Sequence, residues 1–266
     1  MSSTTWTARE VASSASAARY ELWRAVEAQH VASTMALVDS LEEQHLLERL
    51  LDESKPPVPS AAAHLHWLLF TPFRYPPPPG GSRFRGPNEP GVFYAAEAIR
   101  TACAELGYWR WRHLQDSPAL NAMPTMPQTV FRVRIDTEGV DLATQPLVRD
   151  RERWTHPSDY AACQRFARTA REAGVGAIRY ESVRDPKRGA GCAVLSPRVF
   201  VPPAPLAQQT WLLSVARDRV VWQRTHVLHA EEHEFVAAAW APGNGGAPAR
   251  RERVPGRPRP RRRARP

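Results

Sequence analysis

The chain has 266 residues, of which 42% are apolar and 24% are charged. These shares are ordinary for a globular protein, and the length allows one large domain with additions. The first nine residues are polar and no run of 18 apolar residues occurs. The sequence therefore predicts neither a secretion signal nor a membrane-spanning helix, and we expect a cytoplasmic protein.

The formal net charge of +9 is concentrated at the C-terminus. Residues 250–265 contain nine arginines and one glutamate, which gives +8 and leaves +1 for the rest of the chain. We predict that residues 241–266 form a disordered Arg/Pro-rich tail. Such a tail would bind nucleic acid only weakly and without sequence preference, because it has no aromatic side chains on which bases could stack.

Motifs of several protein classes are absent from the sequence. There is no Gly-x-Gly-x-x-Gly after a strand, no P-loop and no Gly-x-Ser-x-Gly, which argues against a Rossmann dehydrogenase, a P-loop NTPase and an α/β-hydrolase. Cys103, Cys163 and Cys192 are far apart, so we expect reduced thiols. The spacing of His226, His229 and His233 could suit zinc, but no fourth ligand stands out, and we predict no metal site.

The first 60 residues have a helical pattern. Apolar residues recur every three or four positions from Ser16 to Glu53, with a break near Asp39. Ser40 and Glu43 have the spacing of a capping box, which predicts that a second helix begins there. We therefore predict an N-terminal helical extension over residues 1–60, and helices of this kind would permit a homodimer.

Residues 61–240 mix both kinds of secondary structure. Helices are predicted over residues 95–110 and 158–173, the second capped by Ser158 and ended by Gly174. Alternating or short apolar stretches predict strands at residues 91–94, 130–136, 175–180, 193–195 and 199–201, and a hairpin of residues 211–215 and 220–224. This mixture predicts an α+β domain.

Several short motifs follow one another along this domain. They are Phe73-Arg74-Tyr75, Gly81-Ser82-Arg83-Phe84-Arg85, Gly91-Val92-Phe93-Tyr94, Thr101-Ala102-Cys103-Ala104-Glu105, Gly176-Ala177-Ile178-Arg179-Tyr180-Glu181-Ser182 and Gly191-Cys192-Ala193-Val194-Leu195. In this order, from about Trp67 to Phe200, they resemble the RES domain family, which is named after a recurring Arg, Glu and Ser.

The resemblance implies a fold like that of ADP-ribosyltransferase toxins, with a compact mixed sheet, flanking helices and a cleft for NAD. It also implies a toxin that cleaves the nicotinamide–ribose bond of NAD by phosphorolysis and is neutralised by a helix-turn-helix antitoxin. NAD would be the substrate and inorganic phosphate a co-substrate, without a permanently bound cofactor. Two alternatives stay open: an ADP-ribosyltransferase that modifies a protein, and a nucleic-acid-binding module that acts through the tail.

The resemblance places family residues at six positions, which are Arg74, Tyr75, Arg83, Tyr94, Glu105 and Ser182. Arginine suits a pyrophosphate because its planar donors match phosphate oxygens, although the short proline-rich link leaves open whether Arg74, Arg83 or Arg85 binds a given phosphate. Glu105 would stabilise positive charge on the ribose, and a tyrosine face would stack on the nicotinamide cation. Ser182 would hydrogen-bond the carboxamide or a ribose hydroxyl.

Overall fold

The structure is a computed structural model that describes residues 5–28, 38–225 and 230–240. Its α-helices are α1 (Ala8–Ser13), α2 (Leu41–Glu53), α3 (Trp67–Arg74), α4 (Ile99–Gln115), α5 (Arg151–Trp154) and α6 (Ala161–Glu172). Its strands are β1 (Ser16–Glu27), β2 (Phe93–Ala96), β3 (Ala122–Asp141), β4 (Ala177–Glu181), β5 (Ala190–Val194), β6 (Ala207–Ala216), β7 (Arg219–Thr225) and β8 (Ala230–Val236). The predicted α+β class, a mixed sheet with flanking helices, is confirmed.

The strands form one sheet in the order β1-β2-β5-β4-β3-β6-β7-β8. Strand β1 also pairs with β3, so the pairings among the first five strands close into a ring. Only β3 and β4 pair in parallel within the described sheet. Strand β3, with 20 residues, is long enough to belong to the ring and to continue into the antiparallel strands β6, β7 and β8.

Alternation along β2 separates two cores, because successive side chains of a strand point to opposite faces. Phe93 faces a core that also contains Leu22, Phe131 and the apolar side of α3. Tyr94 packs against the other core, which contains Tyr180 and the apolar side of α6. A third core lies between α4 and strands β6 to β8. The face of β2 on which a residue lies therefore decides which of these two cores it contacts.

The helix predicted from residue 16 is wrong over its first part, because residues 16–27 form β1. All twelve residues pair with Gln128–Gly139 of β3. Leu22 and Val26 are four positions apart, a spacing that places residues on one side of a helix and equally on one side of a strand. The pattern could not separate the two, and pairing with β3 decided the outcome. The predicted helical positions His30, Ser33 and Leu37 lie outside the described residues.

The second predicted helix is confirmed as α2. The N–H of Glu43 donates to Ser40 Oγ at 3.2 Å, as a capping box requires. The Glu43 carboxylate accepts from the N–H of Asp39 at 2.9 Å rather than from that of Ser40. The homodimer and the domain boundary at residue 60 stay predictions, although β1 belongs to the same sheet as the strands that follow residue 60.

Most other predicted elements are confirmed, and two differ. Residues 199–201 are not a strand, because Pro197–Val199 form a 3₁₀ turn and Phe200 makes a single bridge to Ile135. Helix α6 begins at Ala161. The N–H of Ala161 donates to Asp159 Oδ1 at 2.9 Å, so Ser158 is not the cap. Two of the three spaced histidines and the tail from residue 241 lie outside the described residues.

No helix among the described residues is long and apolar enough to cross a membrane. His233, the described member of the histidine group, stacks on the ring of Trp211 with centroids 5.3 Å apart. This contact places its imidazole against the third core.

Candidate active site

The shortest polar contact between two predicted site residues joins Ser182 and Glu105. Ser182 follows the end of β4, and Glu105 lies in the second turn of α4. Ser182 Oγ donates to Glu105 Oε1 at 2.6 Å, and the N–H groups of Arg184 and Asp185 each donate to the same Oγ at 3.2 Å. Because the hydroxyl accepts two hydrogen bonds, its own proton is directed at the carboxylate. Ser182 is fully buried, whereas Glu105 is half-buried.

The loop after Ser182 is fixed to the first turn of α4. Thr101 Oγ1 donates to Asp185 Oδ2 at 2.8 Å, and Arg100 lies 3.4 Å from the other oxygen of Asp185. The loop approaches closely at Gly189, where an added Cβ would lie only 2.1 Å from Thr101 Oγ1. These contacts hold the loop and the Glu105 helix in one geometry.

Arg83 is a buried cation near this pair. Its guanidinium donates from Nη1 to the carbonyls of Trp154 at 2.8 Å and His156 at 3.0 Å, and it lies 4.6 Å from the centroid of the Tyr160 ring. Burial lowers the pKa of Arg83, but attraction by surrounding groups, first Cys163 and then Tyr160 and Glu105, outweighs burial and raises the pKa above its ordinary value. Arg83 therefore stays charged at neutral pH.

The Tyr94 hydroxyl fixes the turn that carries Arg83. It hydrogen-bonds Ser82 Oγ at 2.8 Å and accepts from the N–H of Phe84 at 2.8 Å. Burial raises the pKa of Tyr94 to about 12, so the phenol is neutral at ordinary pH. Tyr94 thus connects β2 to the segment on both sides of Arg83.

Arg184 is a second buried cation at the site. Its Nη2 donates to the hydroxyl of Tyr160 at 3.0 Å and also to the carbonyl of Pro157. Its guanidinium lies 3.7 Å from the centroid of the Tyr108 ring, on α4. Arg83 and Arg184 therefore both contact Tyr160, one on the ring face and one at the hydroxyl.

An open depression lies beside Tyr160. It has a volume of about 520 Å³ and is bordered by Gly80, His156 and Gln164 as well as Tyr160. This volume is within the range of small-molecule sites in proteins. The amide of Gln164 donates to the carbonyls of Gly80 and Ser82 at 3.0 Å each, which fixes the turn before Arg83 at the edge of the depression.

The comparison with protein families decides the family. The model of the RES domain matches residues 58–216, which is more than half of the chain. The chain belongs to the RES domain family. Strands β7 and β8 and the residues up to Trp240 lie beyond the matched range.

Among the solved structures, a similar chain comes from the crystal structure of the M. tuberculosis MbcT-MbcA toxin-antitoxin complex. It is 12% identical with a TM-score of 0.41, and the match covers 88% of this chain and 93% of that chain. No curated protein matches the chain in sequence.

Four of the six predicted site residues lie in this part of the RES domain: Arg83, Tyr94, Glu105 and Ser182. Glu105 and Ser182 are in direct contact, and Arg83 is close enough to Glu105 to be influenced by its charge. Tyr94 holds the turn that carries Arg83. Their functional roles remain predictions.

Arg74 and Tyr75 lie at the end of α3, which packs against the Phe93 side of β2. Arg74 Nε donates to the carbonyl of Pro56, and Tyr75 is exposed, with its carbonyl accepting from Arg85 Nη2 at 2.9 Å. These contacts hold the proline-rich link. The proposed roles of Arg74 and Tyr75 in binding NAD stay predictions.

Sequence reasoning missed Arg24 because β1 was interpreted as a helix. Its Nη1 donates to the carbonyl of Tyr94 at 2.8 Å, and its guanidinium lies 4.7 Å from the centroid of the Phe93 ring. Burial lowers the pKa of Arg24 to about 10, which leaves it charged at neutral pH. If residues 16–27 had been interpreted as a strand, Arg24 would have fallen on the same apolar side as Leu22 and Val26. A cation on an apolar side is unusual, and this would have drawn attention to Arg24.

Proposed function

We propose that this RES domain is the toxin of a toxin–antitoxin pair and cleaves the nicotinamide–ribose bond of NAD. The observation that carries the proposal is the contact between Ser182 and Glu105. A buried hydroxyl orients a half-buried carboxylate beside a buried cation, Arg83. Membership of the RES family supports this proposal, and the open depression beside Tyr160 offers space for a ligand.

The carboxylate suits the electronic change during cleavage. When the bond breaks, its electron pair leaves with nicotinamide, which becomes neutral, and the ribose carbon gains positive character. A fixed carboxylate next to that carbon stabilises the charge without having to reorganise. Glu105 Oε1 accepts from Ser182, which sets the direction of the carboxylate and leaves Oε2 to face the ribose.

The acceptor in our proposal is inorganic phosphate. A phosphate oxygen forms the new bond to the ribose carbon, so the products are nicotinamide and ADP-ribose carrying a phosphate at that carbon. Water as acceptor would give hydrolysis, and a protein side chain would give ADP-ribosyl transfer. Arg83 would bind phosphate oxygens of NAD, and the Tyr94 ring would stack on nicotinamide.

The decisive experiment measures NAD loss and nicotinamide release by the purified full-length protein. Reactions contain inorganic phosphate or an equal ionic strength of chloride, and the variants are E105Q and E234Q. We expect NAD loss to require phosphate and to fall about 100-fold or more in E105Q. Glu234 is exposed on β8, so E234Q is the matched control and should behave as the native protein.

Each other result has a definite meaning. NAD loss without phosphate would replace phosphorolysis by hydrolysis or ADP-ribosyl transfer. Full turnover by E105Q would contradict the role of Glu105. No NAD loss under any condition would contradict the proposed function and would favour the binding module that acts through the tail.

The proposal includes a protein partner, an antitoxin with a helix-turn-helix domain, in the cytoplasm. Expression of the toxin alone should then arrest growth and deplete NAD, and co-expression of its cognate antitoxin should restore both. Growth arrest that persists while NAD stays at its normal level would contradict the toxin mechanism.

A further inference from the structure

Two buried guanidinium groups are held on one aromatic side chain. Arg83 and Arg184 are 8% and 7% exposed. Arg83 lies over the Tyr160 ring, and Arg184 Nη2 donates to the Tyr160 hydroxyl. Tyr160 borders the open depression and immediately precedes α6. Neither arginine lines the depression itself, but both are held on Tyr160, which does.

Neither cation has a carboxylate partner in the part of the chain that the structure describes. Their hydrogen bonds go to neutral acceptors, namely the carbonyls of Trp154, His156 and Pro157 and the Tyr160 hydroxyl. A buried cation without an anion is costly, because it loses hydration that carbonyls and ring faces replace only in part. The pair therefore concentrates positive charge around Tyr160, a residue that borders the depression.

The nearby carboxylates do not form ion pairs with either arginine among the described residues. Asp185 is engaged by Arg100 and Thr101. Asp159 accepts from the N–H of Ala161 at the start of α6. Glu105, whose charge influences Arg83, is bonded to Ser182. Glu105 and Asp159 are therefore the two nearby carboxylates without an ion pair among the described residues, and Asp159 also borders the depression.

Arginine donors also remain for a ligand. The hydrogen bonds of Arg83 to carbonyls use Nη1, and those of Arg184 use Nη2. The side chain of Cys163 also hydrogen-bonds Arg83. A guanidinium has five N–H groups in a planar arrangement that matches two oxygens of a phosphate. Each of the two residues can therefore keep its structural contacts and still donate to an anion.

We propose that Arg83 and Arg184 together bind a phosphate group at the edge of this depression, with Arg184 as the previously unassigned ligand residue. The phosphate belongs either to the pyrophosphate of a dinucleotide or to free inorganic phosphate. The backbone N–H of Arg184 also donates to Ser182 Oγ, so the bound phosphate and the Glu105 carboxylate are positioned by one loop. This inference rests on the proposed function for its substrate, but binding is measurable without turnover.

The test is calorimetric titration of the full-length protein with inorganic phosphate, pyrophosphate and ADP-ribose at constant ionic strength. The variants are R184Q and, as a matched control, R188Q. Arg188 is exposed in the same loop and is already paired with Glu181 at 3.4 Å. We expect R184Q to weaken binding about tenfold or more, since a charge-assisted pair of hydrogen bonds is lost. R188Q should bind as the native protein does.

The three ligands identify the source of the phosphate. Weaker binding of pyrophosphate and ADP-ribose alone would assign the site to the dinucleotide, and weaker binding of inorganic phosphate alone would assign it to the acceptor. Circular dichroism checks that R184Q is folded. If it is not, R184K decides, because it keeps the charge but not the two-pronged donor set, and we expect it to bind several-fold more weakly.

The proposal is overturned if the native protein binds none of the three ligands, or if the folded Arg184 variant binds them as tightly as the native protein. Its failure is distinct from that of the proposed function. Phosphate binding that is lost in R184Q, in a protein that does not consume NAD, would retain the site and reject the reaction.

Discussion

Ser182 has two tasks that two measurements on one variant can distinguish. Its hydroxyl orients Glu105, and its oxygen accepts the N–H groups of Arg184 and Asp185. We predict that S182A lowers the kcat of NAD cleavage about tenfold or more while the KM changes less, since the carboxylate loses its orientation. It should also lower the free energy of unfolding by about 1–3 kcal/mol, because buried donors lose their acceptor.

Denaturant unfolding and steady-state kinetics measure the two effects in the same preparations. S13A is the control, because Ser13 is exposed in α1 and should affect neither quantity. A normal kcat in S182A would mean that Glu105 is oriented by other contacts.

Tyr94 gives a prediction for alkaline pH. Its pKa is raised to about 12 in the folded protein by burial, compared with about 10 in an unfolded chain. The folded state therefore holds the phenolic proton more tightly, and this contribution to stability is present below pH 10 and is lost as the pH rises towards 12. We expect the free energy of unfolding to fall less steeply between pH 10 and 12 in Y94F than in the native protein.

Urea unfolding at several pH values measures this slope, and Y75F is the control because Tyr75 is exposed. Equal slopes in the native protein and Y94F would contradict the assignment.

At the scale of single residues, the family motif identified Ser182 and Glu105 but neither the contact between them nor its surroundings. Arg184 stands two positions after Ser182, in a loop where a charged residue would ordinarily face solvent. It is buried because Tyr108 and Tyr160, 76 and 24 positions before it, provide a ring face and a hydroxyl. Such contacts between distant residues leave no local pattern in the sequence.

At the scale of elements, β1 shows where periodicity fails. Residues four apart share a side in both a helix and a strand, so the pattern of Leu22 and Val26 was ambiguous. Helix α2 was predicted correctly because the Ser40–Glu43 spacing adds a start signal that a strand does not have. Strand pairing with β3 settles β1, and that partner lies about 100 residues further along the chain.

The end of the described chain is connected to the candidate site through Trp240. Its Nε1 donates to the carbonyl of Arg184 at 2.7 Å, and its ring packs on Tyr108 and Trp111 with centroids 5.6 Å away. We predict that W240F, which keeps a ring but loses the N–H donor, lowers the kcat of NAD cleavage several-fold. The amides of Arg184 and Asp185 should also exchange hydrogen faster, because their loop loses a fixed contact.

Hydrogen exchange tests this positioning role independently of activity. W67F is the matched control, because Trp67 is partly exposed at the start of α3. Unchanged exchange in W240F together with a reduced kcat would contradict positioning through the loop.

At the scale of the whole molecule, the closed ring of strands could not be predicted. The local patterns located most strands. They did not show that β1 pairs with both β2 and β3, which closes the order β1-β2-β5-β4-β3 into a ring. The ring also explains why the candidate site draws on distant parts of the chain. The turn with Arg83, helix α4 and the loop after β4 meet because the pairings of β2, β5 and β4 bring their ends together.

The distribution of charge gives the last prediction. Removing residues 241–266 would take away +8 of the net +9. The remaining chain would be nearly neutral and would keep Trp240 as its last residue. The contact of Trp240 with Arg184 would remain, so we expect the truncated protein to cleave NAD with an unchanged kcat. Binding to double-stranded DNA should be lost, because the phosphate contacts of an arginine tail supply it.

Charge and length can be separated by a full-length variant with all nine tail arginines replaced by glutamine. DNA binding is measured at low and high salt, and NAD loss is measured in the same preparations. We expect this variant to match the truncated protein in both assays, since counterion release depends on charge and not on the presence of the segment. If both proteins lost NAD cleavage, the tail arginines would instead take part in the candidate active site, which Trp240 contacts through Arg184.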